Sequence, residues 1–423
     1  MSPPPARSAW LVVAVLVPIA LLNYLDRQML ATMKGSVMAD IPTIGTNENW
    51  GFMLGQFKWV YAFLSPVGGL IADRLSRRFT VCGSLFVWSA VTWWTGQVTT
   101  YHELLWARSL MGISEAFYIP AALALIADYH AGPTRSRAVG LHQTGIYLGV
   151  IAGAFGGFVA DTQAVQVTAV AQNGTAHGFA VAFGWRSAFT ACGVVGMLYA
   201  VPAVLLLKDP PRGNTAGRGN LFRDLIELFT SVSFILLVLY FTLPAMAGWV
   251  VRDWMPAILK EQFTLLQGWA GVAAIVPYQL AAIVGAFAGG WAADGWVRRT
   301  ARGRIYVSAI GMGLIVPAIY GVGNAPTIGV AVTFLTLFGL GWGLFDGNNM
   351  PILAQITKPE LRATGYGVMN LVSIGCGGLA DWGFGALRDR QVPSNLIFSL
   401  LAAAAVVSVV FVLLIRPRPV ESR

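Results

Sequence analysis

The sequence predicts an all-α membrane protein, with twelve transmembrane helices in two six-helix, pseudo-symmetric halves. Three observations predict it. Of 423 residues, 56% are hydrophobic and only 11% charged, where a soluble domain carries about 25% charged residues; the mean hydropathy is +0.65. Twelve stretches are long and apolar enough to span a bilayer, which takes about 20 residues each. Finally, one loop recurs: "GLIADRLSRR" (69–78) matches "GWAADGWVRR" (290–299) at a constant offset of 221, with Gly69, Ala72, Asp73, Arg77 and Arg78 falling on Gly290, Ala293, Asp294, Arg298 and Arg299.

The first span, 9–33, opens on "AWLVVAVLVPIALL" and then carries "NYLDRQML" (23–30), with Asp26 and Arg27 side by side. Each charge near a bilayer centre costs about 2.5–3.5 kcal/mol, so fold or function must offset it. The apolar run passes into that charged pair with no clear small-residue cleavage site, which makes it an uncleaved span and not a signal peptide. Spans 50–74 and 78–98 flank the first copy of the repeated loop. The fourth, 102–128, holds Arg108, Glu115 and "PAA" (120–122). The fifth, 135–160, contains "LHQTGIYLG" (141–149) and a glycine every four residues at Gly145, Gly149, Gly153 and Gly157, a small-residue face that lets helices approach closely. The sixth, 183–207, begins on "GWRSAF" (184–189).

The longest charged break, "KDPPRGNTAGRGNLFRD" (208–224), divides the chain into an N-terminal half (1–207) and a C-terminal half (225–423). The second half reads as spans at 225–257, 266–293, 302–322, 326–356, 361–386 and 394–415. Its tenth span places Asp346, Asn348 and Asn349 ahead of a helix-interrupting proline in "FDGNNMP" (345–351). Its eleventh opens on "LRATG" (361–365), an echo of "SRAVG" (136–140). Internal six-span repeats are how many transporters are built, with the substrate site near the midplane.

Orientation follows from the basic residues of the loops. One side carries Arg7, Arg74, Arg77, Arg78, Arg135, Arg137, Lys208, Arg212, Arg218, Arg223, Arg298, Arg299, Arg302, Arg304, Lys358, Arg362, Arg416, Arg418 and Arg423. The other has only Lys34, Arg186, Lys260, Arg388 and Arg390. Both termini are therefore expected inside, in a bacterial inner membrane. The sequon Asn173-Gly174-Thr175 then falls in an outer loop.

Several function classes are excluded. A net charge of +9 suggests nucleic acid only where basic residues cluster on a soluble surface, and here they are loop charges. Cys82, Cys192 and Cys376 lie far apart in apolar segments, with neither disulfide nor thiolate-metal spacing. Of four histidines, His102, His130 and His177 sit at or near loops, again without metal-binding spacing. No metal or cofactor is expected, and no enzyme; nor is there a channel's filter-like loop or charged ring. The expected partners are a small organic anion, protons and the surrounding bilayer, and the expected state is a monomer.

Four cationic residues belong to no loop: Arg27, Lys58, Arg108 and Arg252. Acidic residues within spans are Asp26, Glu115, Asp253, Asp346 and Asp381. Such groups face the bundle interior, pair with one another and mark pathways; near helix ends, as expected for Arg252, Asp253 and Asp381, a helix–helix ion pair or a snorkelling side chain suffices. Arg108 and Glu115 are seven apart, two turns along one face. Desolvation favours the neutral acid and the arginine favours the anion. A substrate anion competing for the arginine would release the carboxylate to take a proton, a scheme for proton-coupled anion transport. On the fifth span, Gln143 and Tyr147 share a face at i, i+4, while His142 points about 100° away, to packing or a hydrogen bond. Asp73, with Arg74, Arg77 and Arg78, is expected to form an inter-helix charge network that gates one end, joined by Asp128 and mirrored at Asp294.

The repeated loop resembles the signature between the second and third helices of the major facilitator superfamily, with Ser76 where that pattern usually has glycine. The "GWRSAF" opening and the central loop extend the resemblance over essentially the whole chain. Within that superfamily, "NYLDR" and the Arg108–Glu115–"PAA" pattern are similar to the anion:cation symporters. That resemblance implies that Arg27 binds a substrate carboxylate, that Asp26 and Glu115 handle protons beside Arg108, and that Tyr24, Gln143, Tyr147 and Asn370 (in "RATGYGVMN", 362–370) line the site. It implies a proton-coupled transporter of a sugar acid or other carboxylate. Tyr118, three residues after Glu115, is instead similar to the Spinster branch, which exports lipids and also has a charged pair in its first helix. The fifth-span glycines resemble a drug/proton antiporter motif, but with Ala154 in place of its proline.

Overall fold

A computed structural model describes residues 6–74, 76–130, 133–161, 165–170, 176–181, 184–209, 221–358 and 361–417. The first half contains α1 (Ala6–Thr32), α2 (Lys34–Asp40), α3 (Asn47–Arg74), α4 (Arg77–Thr95), α5 (Tyr101–Glu115), α6 (Tyr118–Tyr129), α7 (Pro133–Ala154), α8 (Gly156–Asp161) and α9 (Trp185–Leu206). The second contains α10 (Leu221–Thr230), α11 (Val232–Phe263), α12 (Gln267–Val297), α13 (Gly303–Gly323), α14 (Ile328–Ile356), α15 (Arg362–Asp389) and α16 (Ser394–Leu414). Among the described residues, nine helical stretches are long and apolar enough to cross a membrane, counting α5 with α6 and α7 with α8 as one each. With α3, α4 and α15, which are 28, 19 and 28 residues long, they make up the twelve. Phe287 and Trp291 of α12 are 79% and 84% exposed, as apolar side chains on the lipid-facing side of a span can be.

Several boundaries differ from the sequence expectation, each for a local reason. The fourth span is broken after Glu115, so that α5 and α6 are separate helices. Pro120 cannot donate to the Ala116 carbonyl and its ring crowds that group. The fifth span breaks at Phe155, between Ala154 and Gly156. The seventh begins at Val232, not near 225, because Ser231 separates it from α10, a short helix of apolar Leu221, Phe222, Leu225, Ile226 and Phe229 interleaved with Arg223, Asp224 and Glu227. Arg252 and Asp253 thereby fall well inside α11, which runs on to Phe263. Between the fifth and sixth spans lies an antiparallel hairpin, β1 (Val165–Val170) and β2 (Ala176–Val181), with Val165 opposite Val181. It adds to a fold that is otherwise helical.

The chain forms two compact units, each drawing on both sequence halves: Met1–Gly45, Val67–Pro211 and Asp253–Ile275 in one, Thr46–Pro66, Arg212–Arg252 and Val276–Arg423 in the other. In the first unit α7 lies along α1. A Cβ at Gly145 would come 2.6 Å from the Val17 carbonyl oxygen and one at Gly153 2.8 Å from that of Leu25; at Gly149 it would strike the Leu21 carbonyl. Three members of the glycine stripe thus serve one seam, and Gly157 meets Gln267 and Gly268 of α12 instead. Leu16, Ile19, Val81, Leu85, Trp88, Tyr118 and Leu125 form the apolar cluster beneath this seam. The second unit uses the same device: Gly311 of α13 faces Gly341 of α14, and Gly339 faces the backbone of Tyr278.

Candidate functional site

α1 and α5 bring four charges together in the first unit. Glu115 is fully buried, Asp26 and Arg108 are each 2% exposed, and the Arg27 side chain is 13% exposed. The Arg27 guanidinium donates from Nε to Glu115 Oε2 and forms an ion pair with the same oxygen through Nη2. Its Cζ lies 4.9 Å from the Tyr24 ring centroid. Asn23 sits against the Glu115 carboxyl as well. Arg108 has Glu115, Asp26, Arg27 and Asp253 as charged neighbours, and its Nη1 lies 2.9 Å from Met111 Sδ. Counted with Asp253, two cations face three acids, and each added proton makes the site one charge more positive.

Thr92 of α4 completes the cluster. Its Oγ1 is 2.8 Å from Asp26 Oδ2 and 2.9 Å from the Trp88 carbonyl oxygen. A hydroxyl has one proton and two acceptor positions. Facing an Asp26 carboxylate it donates to it; facing a protonated Asp26 it accepts and turns its own proton to Trp88. Thr92 can therefore satisfy Asp26 in either protonation state. Sequence reasoning missed Thr92, a lone hydroxyl in an unrelated span with no pattern linking it to Asp26.

The remaining expected residues are placed as follows. Gln143 and Tyr147 are half-buried on α7, and Tyr24 and Tyr147 both pack against the apolar cluster. Asn370 is half-buried on α15, in the second unit. Arg108 and Glu115 do share a buried face, yet the hydrogen-bonded partner of Glu115 is Arg27 from another helix. His142 Nε2 is 2.9 Å from the Tyr118 hydroxyl, which also lies 3.2 Å from the Leu16 carbonyl oxygen.

At the loop ends, Arg77 pairs with Asp128 and donates to the Ala124 carbonyl at 3.1 Å, and Arg78 donates its backbone N–H to Asp209 at 2.9 Å. Ser76 accepts from the Phe79 N–H at 3.2 Å, an N-cap for α4 that glycine could not supply. In the second copy, Asp294 pairs with Arg304 at 2.9 Å. The side chains of Asp73 and Arg74 and the sequon at Asn173 lie outside the described residues. Also among the charges inside spans, Lys58 of α3 pairs with Asp381 of α15. No group of three or more histidine, cysteine, aspartate or glutamate side chains positioned for a metal occurs among the described residues.

A duplicated basic loop, paired six-helix halves and a buried charge cluster define a membrane carrier. The chain belongs to the Major Facilitator Superfamily, whose sequence profile matches residues 16–380, and it is a transporter and not an enzyme. Among its relatives, human Protein spinster homolog 1 is 31% identical over 62% of this chain and 48% of its own length. Protein spinster of Drosophila melanogaster is 26% identical over 87% of this chain and 60% of its own length. The chain therefore spans only about half to three-fifths of these relatives. An MFS-type efflux pump of Mycolicibacterium smegmatis is 24% identical over 90% of this chain and 85% of its own. Crystal structures of a bacterial homologue of the human lysosomal transporter Spinster, inward-facing, unoccupied and occupied, are similar in fold, with TM-score 0.75, 21% identity and coverage of 98% of this chain and 96% of that one.

Proposed function

We propose that this protein is a proton-coupled secondary transporter of an amphipathic molecule with an anionic headgroup, working by alternating access in a bacterial inner membrane with both termini cytoplasmic. The observation that carries this reading is the Arg27–Glu115 ion pair buried beside Arg108 and Asp26. Protonation of Glu115 cancels the charge that holds Arg27. The freed guanidinium, with Arg108 behind it, can then clasp a phosphate or carboxylate through two parallel hydrogen bonds. When the proton leaves, the carboxylate recovers Arg27 and the anion is expelled. Proton and anion therefore bind together, and the steeper of their two gradients sets the direction.

The Spinster-named relatives and Tyr118 favour an amphipathic lipid over a sugar acid, the substrate class that the anion:cation-symporter resemblance implied. The two substrate classes separate in one experiment. Purified protein in liposomes, given an inside-alkaline pH gradient, is offered a fluorescent single-chain phospholipid, scored by back-extraction into albumin, and a labelled hexonate. The reading expects gradient-dependent movement of the lipid and none of the hexonate. Concentrative hexonate uptake with an immobile lipid would reinstate the sugar-acid substrate; movement of either that ignores the pH gradient would remove the proton coupling.

A further inference from the structure

We propose that Asp381, held by Lys58, is a second proton-binding site of the transport cycle, and that its protonation releases α3 from α15. The inference rests on the proton-coupled reading above. Lys58 is 3% exposed and Asp381 fully buried, and they form a direct ion pair within the second unit. Lys58 stands eleven residues beyond Asn47, and Asp381 eight before Asp389, or about 16 Å and 12 Å from their helix ends at 1.5 Å per residue. That is close to halfway through a hydrocarbon core about 30 Å thick.

The pair closes a seam along which the two backbones touch. A Cβ at Gly55 would come 2.7 Å from the Gly378 carbonyl oxygen, and one at Gly51 would strike the Asp381 carbonyl. Trp59 Nε1 donates to the Gly375 carbonyl at 3.0 Å. At the outer end, the Asp389 carboxylate accepts from the Asn47 N–H at 3.0 Å, its side-chain amide at 2.8 Å and the Glu48 N–H at 2.7 Å. Other charged groups of the surrounding elements are Glu48, which accepts from Trp382 Nε1 at 3.1 Å, Arg388, which donates to Ser394, and Arg252 of α11. Arg252 and Lys58 both face the ring of Trp249, at 5.7 Å and 4.3 Å.

Alternating access requires a seam of this kind, joining a first-half helix to a second-half helix, to part once per cycle. Parting with both charges intact strands an ammonium and a carboxylate in mid-membrane, each without its partner. A proton on Asp381 removes the anion before the helices move, and leaves Lys58 its contact with the Trp249 face. Besides the Trp59, Trp382 and Asp389 hydrogen bonds, the rest of the seam is glycine against backbone. The charge pair is thus the one step in the seam that answers to protons from inside the span.

The test uses full-length protein in nanodiscs, with Cys82, Cys192 and Cys376 replaced by serine and spin labels at Asn49 and Arg390, without substrate. Wild type is expected to gain a longer distance population by about tenfold in ratio between about pH 8 and about pH 5, as proton binding selects the parted state. Asp381→Asn should show the long population at both pH values. Asp26→Asn with Glu115→Gln should keep the wild-type response. If Asp381→Asn does not insert, the exchanged pair Lys58→Asp with Asp381→Lys is expected to restore the short population and its pH response. A wild-type response that survives in Asp381→Asn, or that vanishes in the Asp26/Glu115 variant, overturns the proposal. So does a pH-indifferent seam in protein whose uptake is proton-driven, a result that leaves the proposed function standing.

Discussion

Replacing Arg27 by methionine tests the binding site most directly. The substitution keeps much of the side-chain length while removing the guanidinium from a fully buried Glu115. Deleting one partner of a buried ion pair costs about 3–5 kcal/mol. Arg108 stays beside Glu115, which places the expected cost at the lower end, about 3 kcal/mol. The same guanidinium is proposed to hold the substrate anion through charge-assisted hydrogen bonds worth about 1.5–3 kcal/mol each, so affinity for a single-chain phospholipid should fall by about two orders of magnitude, at 1.4 kcal/mol per decade. Arg27→Lys keeps the charge but loses the planar fork, and should lose most of that affinity too. Stability and binding separate in the double variant Arg27→Met with Glu115→Gln. Removing both partners leaves no stranded charge, so stability should recover towards wild type, while binding should not. Calorimetric titration in detergent measures the affinity and thermal unfolding the stability. Wild-type affinity in Arg27→Met would take this residue out of the site.

Two further predictions follow from the same geometry. Glu115→Gln imitates the permanently protonated acid, so binding and exchange of labelled substrate should survive while uphill accumulation driven by a pH gradient is lost. Asp26, hydrogen-bonded to Thr92, can stand in for part of the coupling, and the pair Asp26→Asn with Glu115→Gln is the cleaner test. Concentrative uptake by that double variant under a proton gradient alone would show that neither carboxylate couples. At the loop end, Asp128→Asn breaks a pair with Arg77 whose side chains are 31% and 16% exposed. Its effect on stability should stay below about 1 kcal/mol, yet spin-label distances across the α4 and α6 loop ends should broaden, and unchanged distributions would remove this pair from gating.

How much of this was legible in the sequence depends on the range over which each feature is determined. The repeated loop, the central break and the twelve apolar stretches are local patterns, and the twelve helical spans follow them. Charges inside spans were legible for an energetic reason: an ionisable group in hydrocarbon is costly enough to stand out without any alignment. What they pair with was not. Arg108 and Glu115 share a helix face, as their spacing demands, but Glu115 takes its hydrogen bonds from Arg27, 88 residues away. Lys58 and Asp381 were both visible as stranded charges, and their partnership joins residues 323 apart. Thr92 carried no signal at all, because a hydroxyl in a span satisfies itself on the preceding turn, as this one also does at Trp88. The break after Glu115 could have been read from Pro120, whose missing N–H falls opposite Ala116.

The two buried charge systems differ in a way that bears on mechanism. Around Glu115 stand the cations Arg27 and Arg108, with Asp26 and Asp253 as further acids beside Arg108, so each proton taken up makes the cluster one charge more attractive to an anionic ligand. At Asp381 the Lys58 ammonium rests 4.3 Å from the Trp249 ring centroid, and Gly51 and Gly55 lie against the α15 backbone beside the pair. A proton there also leaves one positive charge, the Lys58 ammonium, but that charge rests against the Trp249 face, and under the proposal above the proton decides whether two helices stay together. On the proposals above, the first system exchanges a proton for a ligand's claim on an arginine, and the second exchanges a proton for a helix contact. A carrier needs both kinds of exchange, because binding must be tied to the proton and movement must be tied to binding. Placing them on different helices lets each titrate against its own partner, α1 against α5 in one case and α3 against α15 in the other.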